Sequence, residues 1–158
     1  MAAQENENKE QDTDVSLEFD SELAPLLPSG EEYVVAFLRA DKRWMFGKVL
    51  KIVMQFEIVM PVQYLGTRLF MAANVPERNR WTMGYKFLQA WMLATGRRPN
   101  RRDRLSTKVF RGKYFRARVT VVGKTAKNAT RTTATQYSII EELIEVYAGG
   151  PGHAPKNV

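Results

Sequence analysis

The 158-residue chain contains no cysteine and a single histidine, His153. Without cysteine there are no disulfides, thiolate metal sites or cysteine nucleophiles, which suits a reducing compartment. The lone histidine stands in the terminal stretch GGPGHAPKNV, poorly placed to serve as the general base of a nucleophilic triad. No apolar run approaches the ~18 residues of a membrane span. The opening MAAQENENKEQDTD lacks the basic-then-apolar order of a secretory leader. Neither GxxxxGK[ST] nor GxGxxG occurs, so the common phosphate-cradling loops are missing. Acid is scarce beyond the first 22 residues, and a metal-dependent nuclease needs convergent carboxylates. Only Glu141, Glu142 and Glu145 cluster, and they read as solvated charge. The expectation is a non-catalytic protein with no catalytic residues, metal site or cofactor, and no membrane association.

Positive charge is what the chain has in excess. Residues 1–22 carry eight acids and one base, Lys9, for a net charge of −7, whereas residues 23–158 carry +14. Like charges that dense repel one another, so an anionic partner is the first explanation to test, nucleic acid foremost. The charge is most concentrated in GRRPNRRDRL (96–105). One or two arginines just after a helix suit its macrodipole, but five exceed that need. Pro99 and Asn100 form a bend that separates Arg97 and Arg98 from Arg101 and Arg102, and Asp103 is placed to pin one arginine by pairing.

The acidic segment reads as a disordered tail over 1–27, followed by one domain over 28–148 and a flexible C-terminal tail over 149–158. Within the domain the patterning is mostly β. EEYVVAFLRA (31–40) is apolar on both faces, as in a strand covered on both sides. ADKRWMFGK reads as a polar turn leading into aromatics. KVLKIVMQFEIVM (48–60) alternates, with Leu50, Ile52, Met54, Phe56 and Ile58 on one face and Lys51, Gln55 and Glu57 on the other. GTRLFMAA (66–73) is a third strand. WTMGYKFLQAWMLATG (81–96) is a helix with Phe87, Leu88, Trp91 and Met92 as its core stripe and Gly96 as its C-terminal cap. KVFRGKYFRARVTVVGK (108–124) is a fourth strand, with Gly112 as a candidate bulge. YSIIEELIEVYAG (137–149) is read as a strand in preference to a short helix, with Ile140, Ile144 and Val146 on one face. Three strands, a helix and two strands match the five-stranded Greek-key barrel of oligonucleotide-binding (OB) folds, the helix lying between strands 3 and 4. A curved sheet carrying one helix is the looser reading.

Single-stranded nucleic acid is held by a basic groove and by ring faces on which bases stack, worth ~1–3 kcal/mol per base. The sequence interleaves these residue types repeatedly. KRWMFGK supplies Lys42, Arg43, Trp44, Phe46 and Lys48. RNRW supplies Arg80 and Trp81. The arginine loop supplies Arg97, Arg98, Arg101, Arg102 and Arg104. FRGKYFRAR supplies Lys113, Tyr114, Arg116 and Arg118, with Phe115 and Ala117 packing inward. GKTAKNATRTTATQ adds Lys124, Lys127 and Arg131. Trp44 and Phe46 equally suit a core cap. Trp91 belongs to the core. The arginine loop is a phosphate clamp rather than a base reader.

The segments PSGEEYVVAF, KVLKIVMQFEIV, GTRLF, FLQAWMLATG and FRGKYFRARVTVV, in that order over about 28–147, resemble the pattern of small phage-type single-stranded DNA-binding proteins with an OB fold. The resemblance implies largely sequence-independent binding of single-stranded DNA in replication or recombination, with RNA or duplex as alternative ligands. It implies a cytoplasmic, nucleoid-associated protein of a bacterial or phage-infected cell, self-associating as a homo-oligomer. Many such proteins carry an acidic docking tail at the C-terminus. Here the acidic segment is N-terminal, where it would recruit replication or recombination proteins or compete for the basic groove. A protein-interaction or inhibitor module of mobile-element origin is the alternative from a different class.

Overall fold

The computed structural model describes residues 15–17, 25–125 and 127–147. The expectations of a disordered acidic tail and a flexible C-terminal tail fall almost wholly outside the described residues. The core begins at Leu27, one residue before the expected domain boundary. Its side chain is fully buried, and its N–H donates to Ser138 Oγ at 2.8 Å.

Five strands form one open antiparallel sheet in the order β3-β2-β1-β4-β5. They are β1 (Glu32–Met45), β2 (Val49–Met60), β3 (Arg68–Asn74), β4 (Tyr114–Val122) and β5 (Tyr137–Tyr147), with one helix, α1 (Lys86–Thr95), between β3 and β4. The edge strands β3 and β5 meet through Phe70 and Tyr137, whose rings stack with centroids 6.1 Å apart.

Period-two alternation decides the inner face. Val35, Ile52, Met54, Phe56, Ile58, Met71, Phe115, Ala117 and Val119 are buried. Phe56, Phe110 and Phe115 are completely so, and they pack with Phe37 and Phe87 through edge-on and tilted contacts. Each such ring contributes roughly 1.5–3 kcal/mol by leaving water. Helix α1 closes this core with Phe87, Ala90, Trp91 and Ala94, and Met92 packs against its edge, while Leu88 of the expected stripe is buried outside that cluster. Gly96 ends it in the left-handed region (φ 70°), its N–H donating to Met92 O at 2.8 Å.

Four expectations need correction. The helix starts at Lys86, not Trp81, because Thr82–Tyr85 form a turn around Gly84 and Gln89 Nε2 donates back to Met83 O. Strand β1 does not stop at Ala40 but runs to Met45, and the reversal is a three-residue turn over Phe46–Lys48. Gly112 is not a bulge within β4: a 3-10 turn over Thr107–Phe110 precedes it, and the strand begins at Tyr114. In β5, register shifts opposite Arg116–Ala117 and Arg118–Val119 break the single apolar face expected there. Ile140 is buried and Leu143 packs against the core, while Val146 is exposed. Such bulges bend a strand and so curve the sheet.

Candidate nucleic-acid interface

The extension of β1 gives the molecule a long basic hairpin. At its tip Phe46 (φ 55°) and Gly47 (φ 67°) both lie in the left-handed region, within a three-residue hairpin loop that the Lys48 N–H closes by donating to Met45 O. A bulky ring seldom adopts that conformation, whose cost is of order 1–2 kcal/mol. Trp44 and Phe46 are 67% and 80% exposed. They do not cap the core.

Cross-strand register sorts the hairpin's side chains onto two flanks. Arg39, Asp41 and Arg43 pair with Gln55, Val53 and Lys51, and these in turn pair with Phe70, Ala72 and Asn74 of β3. This row is the outer face of the sheet. It carries Arg39, Arg43, Lys51 and Arg68 against two acids, Asp41 and Glu57. Arg39 Nε donates to Gln55 Oε1 at 3.0 Å, and Arg43 reaches Asp41 only at 4.0 Å. Lys51 and Arg68 meet no carboxylate at ion-pair distance among the described residues.

The row continues onto the β4–β5 connection. Phe70 and Tyr137, 37% and 39% exposed, stack on each other. The guanidinium of Arg131 lies 5.2 Å from the Tyr137 ring centroid. Arg131 is held there by Lys124 O and Thr135 O, which accept from its Nε and from one terminal nitrogen. A bridge between Lys124 and Thr130 folds the connection back on itself and leaves Lys124 and Lys127 exposed. Arg39, Lys51, Arg68, Phe70 and Tyr137 were not among the residues expected from sequence to bind. Their signal is the outward phase of two alternating strands, Lys51/Gln55 in β2 and Arg68/Phe70 in β3, with Tyr137 set beside the edge by the fold.

The opposite flank of the hairpin shares its phase with Ile52 and Met54 and includes Lys42, which pairs with Ile52, and Trp44, which pairs with Leu50. Lys42 faces a cleft of about 760 Å3 that also takes in Trp81, Arg101 and Arg104. Trp81 packs against Tyr85 and Phe87 and stays partly exposed. The arginine loop is braced from within. Arg97 makes a two-pronged pair with Asp103 at 2.8 and 3.3 Å, and Asp103 also accepts from Asn100 N–H at 2.7 Å. Those bonds hold the Asp103 carboxyl below its usual value and raise Arg97. Arg97 further lies 5.1 Å from the centroid of the Trp91 ring. It is therefore a structural arginine, and Asp103 is the residue that pins it. Arg98, Arg101, Arg102 and Arg104 remain exposed, as does Arg80, next to Trp81.

The structure does not bring Lys113, Arg116 and Arg118 to either flank as free cations. Lys113 Nζ donates to Ala94 O in the last turn of α1, the end of the helix dipole that favours a cation. Arg116 lies 3.3 Å from Glu32 and 3.5 Å from Glu145. Arg118 bonds Glu142 and lies 3.8 Å from Glu32. Tyr114 is half-buried beside them.

Comparison of the chain with protein-family models, curated proteins and solved structures gives no match. Among the described residues no group of three or more histidine or carboxylate side chains could hold a metal ion, and no helix is long and apolar enough to cross a membrane.

Proposed function

We propose that the protein binds single-stranded nucleic acid, DNA first, along the outer face of β2 and β3. The observation that carries this reading is the row from the hairpin (Arg43, Lys51) across Arg39, Arg68 and Phe70 to Tyr137 and Arg131, with exposed lysines at its two ends: Lys48 in the hairpin turn, and Lys124 and Lys127 on the β4–β5 connection. Cations with few carboxylates near them attract the backbone, and the exposed rings accept bases by stacking, which tolerates any sequence. The strand order β3-β2-β1-β4-β5, the helix after β3 and the Phe70–Tyr137 contact between the edge strands support an OB-like Greek-key barrel. In that fold, the β2–β3 face with the β1–β2 and β4–β5 loops is the surface used for oligonucleotides. A role in replication or recombination, in the cytoplasm or nucleoid, accompanies this reading.

Fluorescence-anisotropy titration of labelled single-stranded DNA, single-stranded RNA and duplex at two salt concentrations tests it. Single strands should bind more tightly than duplex, and affinity should fall with salt by a log–log slope of about −0.7 per neutralised phosphate. Equal affinity for duplex and single strand removes the stacking component. No binding at ~50 mM salt, where electrostatic attraction is strong, removes the proposal and favours a protein-docking role.

A further inference from the structure

The cleft beneath the hairpin differs in kind from the open sheet face. It is concave, with a size of about 760 Å3, within the range of sites that enclose small ligands. Its floor is apolar, built from Ile52, Phe87 and Leu88. Its rim carries Lys42, Arg101 and Arg104, none of them in an ion pair among the described residues, with the partly exposed indole of Trp81 beside them. Two further observations mark it as a prepared site. Asp103 braces the arginine loop through Arg97 and Asn100, so Arg101 and Arg104 are presented from a turn fixed by side-chain bonds. Across the cleft, Asn79 and its neighbour Arg78 both hold left-handed backbone (φ 54° and 55°), a conformation that is costly for two successive residues other than glycine and gathers at ligand sites.

We infer that this cleft binds a nucleoside monophosphate, its base over the apolar floor beside Trp81 and its phosphate between Arg101, Arg104 and Lys42. Guanidinium and ammonium groups on one rim match a phosphate dianion, which takes two-pronged bonds from arginine. A flat, partly apolar base suits the floor, whereas an inorganic anion would leave it wet. The nucleotide is either free or the phosphorylated end of a strand. The second case rests on the proposed strand binding, with the interior of the strand on the sheet face and its end in the cleft.

The full-length protein is titrated with thymidine monophosphate, thymidine, inorganic phosphate, and thymidine oligonucleotides ending in hydroxyl, 5′-phosphate or 3′-phosphate. The site predicts that the monophosphate binds at least about tenfold more tightly than thymidine or inorganic phosphate, since one good charge-assisted contact is worth about that factor. If the occupant is a strand end, one phosphorylated oligonucleotide gains a similar factor over its hydroxyl-ended form. If only the free monophosphate binds, the free nucleotide is the occupant. Arg101→Ala with Arg104→Ala should abolish either gain and change hydroxyl-ended binding less than about twofold, while Arg98→Ala with Arg102→Ala, on the same loop but outside the cleft, should preserve the gain. Oligonucleotide binding with neither monophosphate binding nor an end effect overturns the cleft and leaves the sheet face standing. Monophosphate binding without any oligonucleotide binding overturns the strand proposal and leaves the cleft. Equal losses from the two double variants would reduce the loop to diffuse charge and also overturn the inference.

Discussion

Two arginine-bearing parts of the sheet surface use the same residue types to opposite ends. Around the start of β1, Arg116 and Arg118 of β4 stand opposite Glu32 on one side and Glu145 and Glu142 on the other. Every guanidinium there has a carboxylate, and the acids outnumber the bases. Around the far half of β1, Arg39 faces Gln55, Arg43 faces Lys51 and Lys51 faces Asn74, with Arg43 reaching Asp41 only at 4.0 Å, while Arg68, though opposite Glu57, meets no carboxylate at ion-pair distance among the described residues. The first surface is closed by its own counter-charges and has little attraction left for an anion. The second keeps its attraction and adds rings. Positive charge thus marks a binding face only where the neighbouring strands leave it unanswered.

The largest effect should come from reversing charge on the open side. Lys51→Glu, Lys124→Glu and Arg131→Glu together should weaken single-stranded DNA binding by about 100-fold or more at low salt, as read by fluorescence anisotropy. Next is Phe46→Ala, at the hairpin tip. If a base stacks there, the loss is about 5- to 150-fold, equivalent to ~1–3 kcal/mol, and the melting temperature should barely move because the residue is 80% exposed. A matching fall in melting temperature would give Phe46 a structural role instead. On the closed side the pattern should invert. Arg116→Ala with Arg118→Ala should change DNA affinity by less than about twofold but lower stability by about 1 kcal/mol, as expected for partly exposed pairs joined in a network. Thermal melting and the same anisotropy assay separate the two outcomes.

How far the sequence could be read follows this division. Alternation in 48–60 and the stripe in 81–96 locate β2 and the buried face of α1, because burial is written in the spacing of apolar residues along one element. Asp103 as the pin of the arginine loop is also legible, since its partner Arg97 lies only six residues away. Arg116 and Arg118 mislead for the converse reason. Their outward phase is correct, but their carboxylates come from strands 24 to 86 residues away in the chain, and register across a sheet leaves no mark within one strand. The same blindness hides Phe70 and Tyr137, which become one platform only when the two edges of the sheet meet. Asp41 and Lys42 look like turn residues, yet β1 runs past Ala40 and the reversal is made at Phe46–Lys48.

The smallest effect concerns the brace of the arginine loop. The Asp103 carboxyl is held below its ordinary value near 3.8 by Arg97 and the Asn100 N–H. A lowered carboxyl value stabilises the folded loop fully above the unfolded value and loses that contribution as the pH falls through the folded one. Asp103→Asn should therefore lower the melting temperature slightly at neutral pH, and the difference from the parent protein should begin to shrink near pH 3.8 and vanish only once the pH falls below the lowered folded value. A gap that does not shrink as the pH falls would mean that Asp103 acts through shape instead of charge.

The contrast between answered and unanswered cations is tested most directly by the salt dependence of single-stranded DNA binding in two variants matched in net charge. Lys51→Ala with Lys124→Ala and Arg116→Ala with Arg118→Ala each remove two positive charges. The first pair should reduce the log–log salt slope by about 1.4, at ~0.7 per lost phosphate contact, and the second should leave it at the parent value. Equal reductions in both variants, or a change confined to the second, would contradict the account.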